Sequence, residues 1–174
     1  FIGGILFCFF TSSFALHATE NDDLVKAMME VYAEELAANP QDYRTYYSRA
    51  MAYFGQGDMK KALSDIDNAI KYFPRKEKDD LAQAYLLRAK ILSERGETKS
   101  ALTDLNSALR LVPNHRLALK DRGDLLCRLG QYDMAKIDYN HLLRMDTRSQ
   151  SAFMGLARVE AHTGQPVRAK DLLA

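Results

Sequence analysis

The stretch Ala82–His115, AQAYLLRAKILSERGETKSALTDLNSALRLVPNH, decides the fold. Tyr85 and Leu92 flank the small Ala89 at spacings of four and three, which puts all three on one face of a helix. Gly96 follows, and glycine suits the left-handed backbone that closes a helix and opens a tight turn. A second stripe then runs through Ala101, Leu105 and Ala108. Pro113 stops it, because proline lacks an N–H and clashes with the preceding turn. The stretch predicts a pair of antiparallel helices.

The same pattern recurs on both sides. With positions counted 1 to 34, the units start at Tyr43, Ala82, Arg116 and Gln150. Position 4 holds Tyr46, Tyr85, Leu119 and Phe153, and position 8 holds Ala50, Ala89, Gly123 and Ala157. Position 11 holds Tyr53, Leu92, Leu126 and Glu160. The small group at 8 lets a neighbouring helix come close, and a large one there should force the helices apart. The turn glycine recurs as Gly57, Gly96, Gly130 and Gly164. In the second helices, position 20 is Ala62, Ala101, Ala135 and Ala169, and position 24 is Ile66, Leu105, Tyr139 and Leu173. Position 27 is Ala69, Ala108 and Leu142, and position 32 is Pro74, Pro113 and Thr147. The last three units are 34 residues apart, whereas Lys76 to Asp80 add five residues between the first two. A 34-residue period with two helices per unit reads as a stacked-helix solenoid, an architecture that binds partners and rarely does chemistry.

This set of positions resembles the tetratricopeptide repeat family over Tyr43 to Ala174. The resemblance implies an all-α, right-handed solenoid of antiparallel helix pairs, with repeats at about 43–81, 82–115, 116–149 and an incomplete 150–174, in a domain spanning 41–174. Leu142, Thr147 and Glu160 depart from the pattern. The first two point to a looser third unit, and the last to a capping or altered fourth. Residues 19–40 read as an N-terminal half-repeat helix with apolar Leu24, Met28, Val31, Tyr32, Leu36 and Ala37, and Pro40 lies 34 residues before Pro74. That helix is expected to cover the apolar end of repeat one. The stop at Ala174, inside a second helix, suggests a fragment whose open end near Leu172 and Leu173 would self-associate or need more chain.

The resemblance also implies that the first helices line an inner, concave surface. The candidate partner-binding residues there are Arg44, Tyr47, Met51, Phe54, Leu86, Lys90, Lys120, Arg128 and Arg158. Tyr47, Met51 and Phe54 form an apolar stripe suited to a peptide or helix side chain, unless the N-terminal helix buries it. Lys90, Lys120, Arg128 and Arg158 make the inner face mildly basic, diluted by Glu94 and Asp124, so an acidic segment or chain terminus is expected to dock. The Lys and Asn residues of a carboxylate clamp are missing at Met51, Leu87, Leu117 and Asp121, which rejects a chaperone-tail clamp.

One polar pattern follows the repeat. Position 7 is Arg49, Arg88 and Arg122, and position 23 is Asp65, Asp104 and Asp138. The guanidinium fork suits a structural pair with the carboxylate in the same or the adjacent unit. Leu156 breaks the pattern in repeat four. Asp67, Asp79 and Asp80 read as solvated.

Residues 1–18 carry no charge and are rich in Phe, Ile and Leu, and Ala15-Leu16-His17-Ala18 has the small residues a signal peptidase reads. A truncated secretory signal is the first reading, placing the mature protein in the periplasm or otherwise outside the cytoplasm. An uncleaved membrane anchor is the second, weakened by Thr11-Ser12-Ser13, and a buried core helix is the third. Phe7 before Cys8 argues against a lipid anchor. Cys127 alone would then remain, so no internal disulfide can form. It reads as a half-buried apolar residue.

Lys plus Arg is 24 against 23 for Asp plus Glu, a balance that gives no support for nucleic acid or an anionic membrane as partner. The four histidines show no metal-ligand spacing, no glycine-flanked nucleophile occurs, and no phosphate loop occurs. The expectation is a non-catalytic scaffold without cofactor that binds a protein or peptide. The alternatives are an accessory domain of a larger envelope protein and a self-assembling module.

Overall fold

The computed structural model describes residues 23–164. The expected signal segment and the open end at Leu172 and Leu173 lie outside them. Among the described residues eight helices follow one another: α1 over 23–38, α2 Tyr43–Gly55, α3 Met59–Tyr72, α4 Lys78–Glu94, α5 Thr98–Leu111, α6 Arg116–Arg128, α7 Tyr132–Met145 and α8 Gln150–Thr163. Within repeats, α2 packs on α3, α4 on α5 and α6 on α7. Between repeats, α3 meets α4, α5 meets α6 and α7 meets α8. The architecture is an all-α solenoid of antiparallel pairs.

The repeated residues build this directly. Ala50, Ala89 and Gly123 are buried, and so are Ala62, Ala101 and Ala135 on the facing helices. Removing that apolar surface from water drives the packing, and small groups at both positions let the backbones approach. Gly57, Gly96, Gly130 and Gly164 all have φ between +71° and +78°. At the first, Gly57 N–H bonds to Phe54 O and Asp58 N–H to Tyr53 O, which satisfies carbonyls at the helix end. Asp58 then accepts from Lys61 N–H at 3.0 Å and starts α3.

The Arg–Asp pattern is a bonded ladder. Arg49, Arg88 and Arg122 each hold the position-23 aspartate with two bonds of 2.6–2.9 Å. Arg88 also reaches Asp67 at 2.7 Å, and Arg122 reaches Asn106 at 2.7 Å, both on the preceding second helix. Each of these forks ties two repeats together. Asp67 is therefore a rung of the ladder as well as an exposed charge, with its side chain 53% accessible. Its place in a run of alternating charges gives no sign of that bond.

Helix α1 corrects one expectation. Its buried side carries Leu36, with Val25, Met29 and Tyr32 partly covered, while Leu24, Met28 and Val31 are 60, 40 and 50% exposed. Both sets have helical spacing, so the pattern alone could not choose between them. A bond from Thr45 to Glu35, 2.8 Å long, fixes α1 to α2. Met51 remains exposed, and Tyr47 and Phe54 are half-buried, so α1 leaves the stripe open. In repeat three Leu142 is buried in the core despite its size, and α7 ends at Met145 without a proline.

Candidate functional site

The first helices lie side by side, α2 against α4 and α6 against α8, while α4 and α6 are the least closely apposed of these neighbours. A cavity of about 300 Å³ opens between α4 and α6. Phe54 closes one end, and Lys90, Ser93, Glu94, Lys120, Asp121, Asp124 and Arg128 line it. Four of the expected binding residues thus converge on one groove: Phe54, Lys90, Lys120 and Arg128.

The groove is not basic. Lys120 donates to Asp124 at 2.9 Å and to Asp121 at 3.3 Å, and Lys90 lies 3.8 Å from Asp121. Arg128 donates to Ser93 at 2.8 Å, and Arg158 donates to Asp124 and to the Tyr139 hydroxyl. The bond to Asp124 raises the Lys120 ammonium above its usual range. Burial pushes the Asp124 carboxyl up, but bonds from Lys120, Tyr139 and Arg158 outweigh it and leave that group below its ordinary value. Every cation expected to attract an acidic segment already has a partner within the protein. The lining is zwitterionic, and an acidic ligand would have to displace those partners.

One acceptor in the groove has an ion-pair neighbour, Lys90 at 3.8 Å, but no hydrogen bond. Asp121 Oδ2 is buried and accepts no hydrogen bond among the described residues. A buried acceptor without a donor costs about 1–3 kcal/mol, so the site favours a ligand that supplies one. Met51, Leu117 and Met154 are exposed apolar residues of α2, α6 and α8.

Leu86 does not belong to this surface. It is only 3% exposed and packs in the core with Leu119 and Leu126. Its position number matches Tyr47, Lys120 and Met154, but Leu86 turns into the seam whereas Met154 is 65% exposed. Cys127 is likewise buried, with its sulfur 3.7 Å from the Tyr139 hydroxyl. Arg44 lies away from the groove, over the Tyr43 ring at 4.6 Å and 3.6 Å from Glu77.

The polar centre behind the groove was not foreseen. Tyr139 is fully buried, and its hydroxyl donates to Asp124 at 2.7 Å. Burial, and then that bond to an anion, raise its pKa. The ring fills space left by two glycines. A Cβ on Gly123 would sit 2.9 Å from the ring, and one on Gly155 would overlap it. The signal was present as a tyrosine at position 24 with glycine at position 8, but Gly155 belongs to the next repeat. Glu160 is also buried, 2% exposed, and Lys136 donates to it at 3.1 Å.

Among the described residues, no group of three or more His, Cys, Asp or Glu could hold a metal ion. No described helix is long and apolar enough to cross a membrane. Three overlapping stretches, 29–80, 47–116 and 86–140, match the family described as tetratricopeptide repeat. The chain belongs to the tetratricopeptide repeat family. Solved structures of this fold superpose along most of its length. MamA aligns with a TM-score of 0.77 at 16% identity, over 89% of this chain and 88% of that one. A tetratricopeptide repeat protein from Parabacteroides merdae gives 0.74 at 26% identity, over 92% and 63%. YrrB, described as a tetratricopeptide repeat protein with an unusual peptide-binding site, gives 0.72 at 20% identity, over 92% and 80%. No curated protein matches the chain at a significant level.

Proposed function

We propose that this tetratricopeptide repeat protein is a non-catalytic scaffold that holds a peptide segment of a partner protein in the groove between α4 and α6. The observation that carries this is Asp121 Oδ2, which receives no hydrogen bond and has only the Lys90 ammonium 3.8 Å away, in a groove lined by both charges. A peptide main chain offers N–H donors and carbonyl acceptors together, so it matches a zwitterionic lining better than a run of one charge does. Phe54 and the exposed Met51 supply apolar contact for its side chains. The peptide-binding description of YrrB supports the same class of ligand. The uncharged, apolar residues 1–18 support an extracytoplasmic address, which sequencing of the mature N-terminus from fractionated cells would test.

Panning a random peptide library on the immobilised protein tests the groove. Enriched peptides should bind in solution and lose about tenfold or more in affinity in Phe54→Ala and Asp121→Ala. Ile137→Ser, on an exposed residue of α7, should leave them unchanged. Equal binding by all three variants would place recognition elsewhere.

A further inference from the structure

The five residues that break the period have a structural product. They lengthen the connection between α3 and α4 and let α4 start at Lys78, running for 17 residues. The added stretch brings Glu77 and Asp80 over the start of α2. There a second cavity, about 280 Å³, is lined by Tyr43, Tyr47, Phe73, Asp80 and Gln83, with Arg44 and Ser48. Tyr43 and Phe73 hold each other with ring centroids 4.3 Å apart. Tyr43 Oη donates to Glu77 at 2.6 Å, which fixes that ring; Tyr43 and Phe73 are each only 9% exposed, and Arg44 lies over the Tyr43 ring.

Aromatic faces are negative and attract cations, most often guanidinium groups, and a carboxylate at the rim adds direct attraction. The protein already shows this chemistry at the edge of the cavity. Arg44 lays its guanidinium 4.6 Å from the Tyr43 centroid and reaches Glu77 at 3.6 Å, yet its side chain is 70% exposed. That exposure leaves it free to swing away. A volume of this size holds one side chain and not a folded element.

We infer that the box of Tyr43, Tyr47, Phe73 and Asp80 is a binding site for an arginine side chain of the bound partner segment, with Arg44 as its internal competitor. The inference rests on the scaffold reading above and deepens it: a peptide lying along the first helices would place one arginine at the N-terminal end of that face. Tyr47 then belongs to this box and Phe54 to the α4–α6 groove, so the single apolar stripe read from sequence serves two sites.

The test uses the whole protein with carbon-13 label in its aromatic rings and two capped pentapeptides, Gly-Gly-Arg-Gly-Gly and its norleucine counterpart. The arginine peptide should shift ring signals of Tyr43, Tyr47 and Phe73 with a Kd on the order of 1 mM, and the norleucine peptide should not. Arg44→Ala should tighten the arginine peptide about threefold or more, and Asp80→Asn should weaken it about fivefold. Asp80 is exposed, so that variant keeps its fold. Equal shifts from both peptides, or tetramethylammonium binding as well as the arginine peptide, would overturn the inference. So would an Arg44→Ala variant with unchanged affinity. Groove-selected peptides that still bind when the arginine probe does not would overturn the box alone and leave the scaffold reading standing.

Discussion

Gly155→Ala tests the fit around Tyr139. Two effects oppose each other. In a helix interior alanine is favoured over glycine by about 0.8–1.0 kcal/mol. Against this, the new Cβ would overlap the Tyr139 ring. Forcing an extra carbon into a packed core costs about 1–3 kcal/mol. The ring cannot retreat cheaply, because it is fully buried and its hydroxyl is held by Asp124 and Arg158. The clash should win, with a net loss of about 1–2 kcal/mol. Gly123→Ala, whose Cβ would stand 2.9 Å from the ring, should lose less. Urea unfolding followed by helical circular dichroism measures each value. The decisive measurement is the same substitution in a Tyr139→Leu background. Leucine occupies this position in repeat two as Leu105 and leaves room for the added methyl. There Gly155→Ala should be neutral or stabilising by up to about 1 kcal/mol, a coupling of about 1–3 kcal/mol. If Gly155→Ala stabilises both backgrounds equally, the packing argument is wrong.

Arg88→Ala should cost about 3 kcal/mol, because it leaves Asp104 buried and unpaired and releases Asp67, whereas Lys99→Ala should change stability by less than about 0.5 kcal/mol. Similar urea midpoints for the two would demote the ladder to a surface contact. Ala89→Trp should unfold the second repeat pair, since Ala89 is buried in the seam, and an unchanged melting temperature would refute that placement. The Asp124 carboxyl titrates below its unfolded value of 3.8, so its ionised form stabilises the fold above that pH. That contribution should fade as pH falls below about 3.8, and Asp124→Asn should flatten this part of the pH–stability curve. A wild-type curve already flat there would contradict the bonding at Asp124.

What the sequence reveals well is whatever repeats. Ala50, Ala89 and Gly123 announce their burial by recurring at one position, and the turn glycines announce their left-handed backbone in the same way. The Arg–Asp pairs are legible for that reason too. What escapes is any feature that depends on a single copy or on two repeats at once. Tyr139, Gly123 and Gly155 compensate one another in volume, but they sit at three different positions, and Gly155 belongs to the next repeat. Charge is also hidden, since the inner-face residues include Lys90, Lys120, Arg128 and Arg158, but their spacing does not show that Asp121 and Asp124 pair with three of them or that Ser93 binds Arg128. Leu86 and the exposed side of α1 show a third limit. Helical spacing names a stripe, and only the neighbouring helix decides which stripe it covers.

The forked arginines also set an order of events when the protein comes apart. Arg88 and Arg122 each clasp two consecutive second helices, so the repeats they join must open together. Arg49 clasps only Asp65 among the described residues, since Ala33 stands where an acidic partner on α1 would be. Leu156 offers nothing to clasp at the other end. Fraying should therefore begin with α1 and α8 and move inward, and the amide protons of α5 should be among the last to exchange with solvent. An array built from near-identical units would in this way behave as a firm middle with two soft ends.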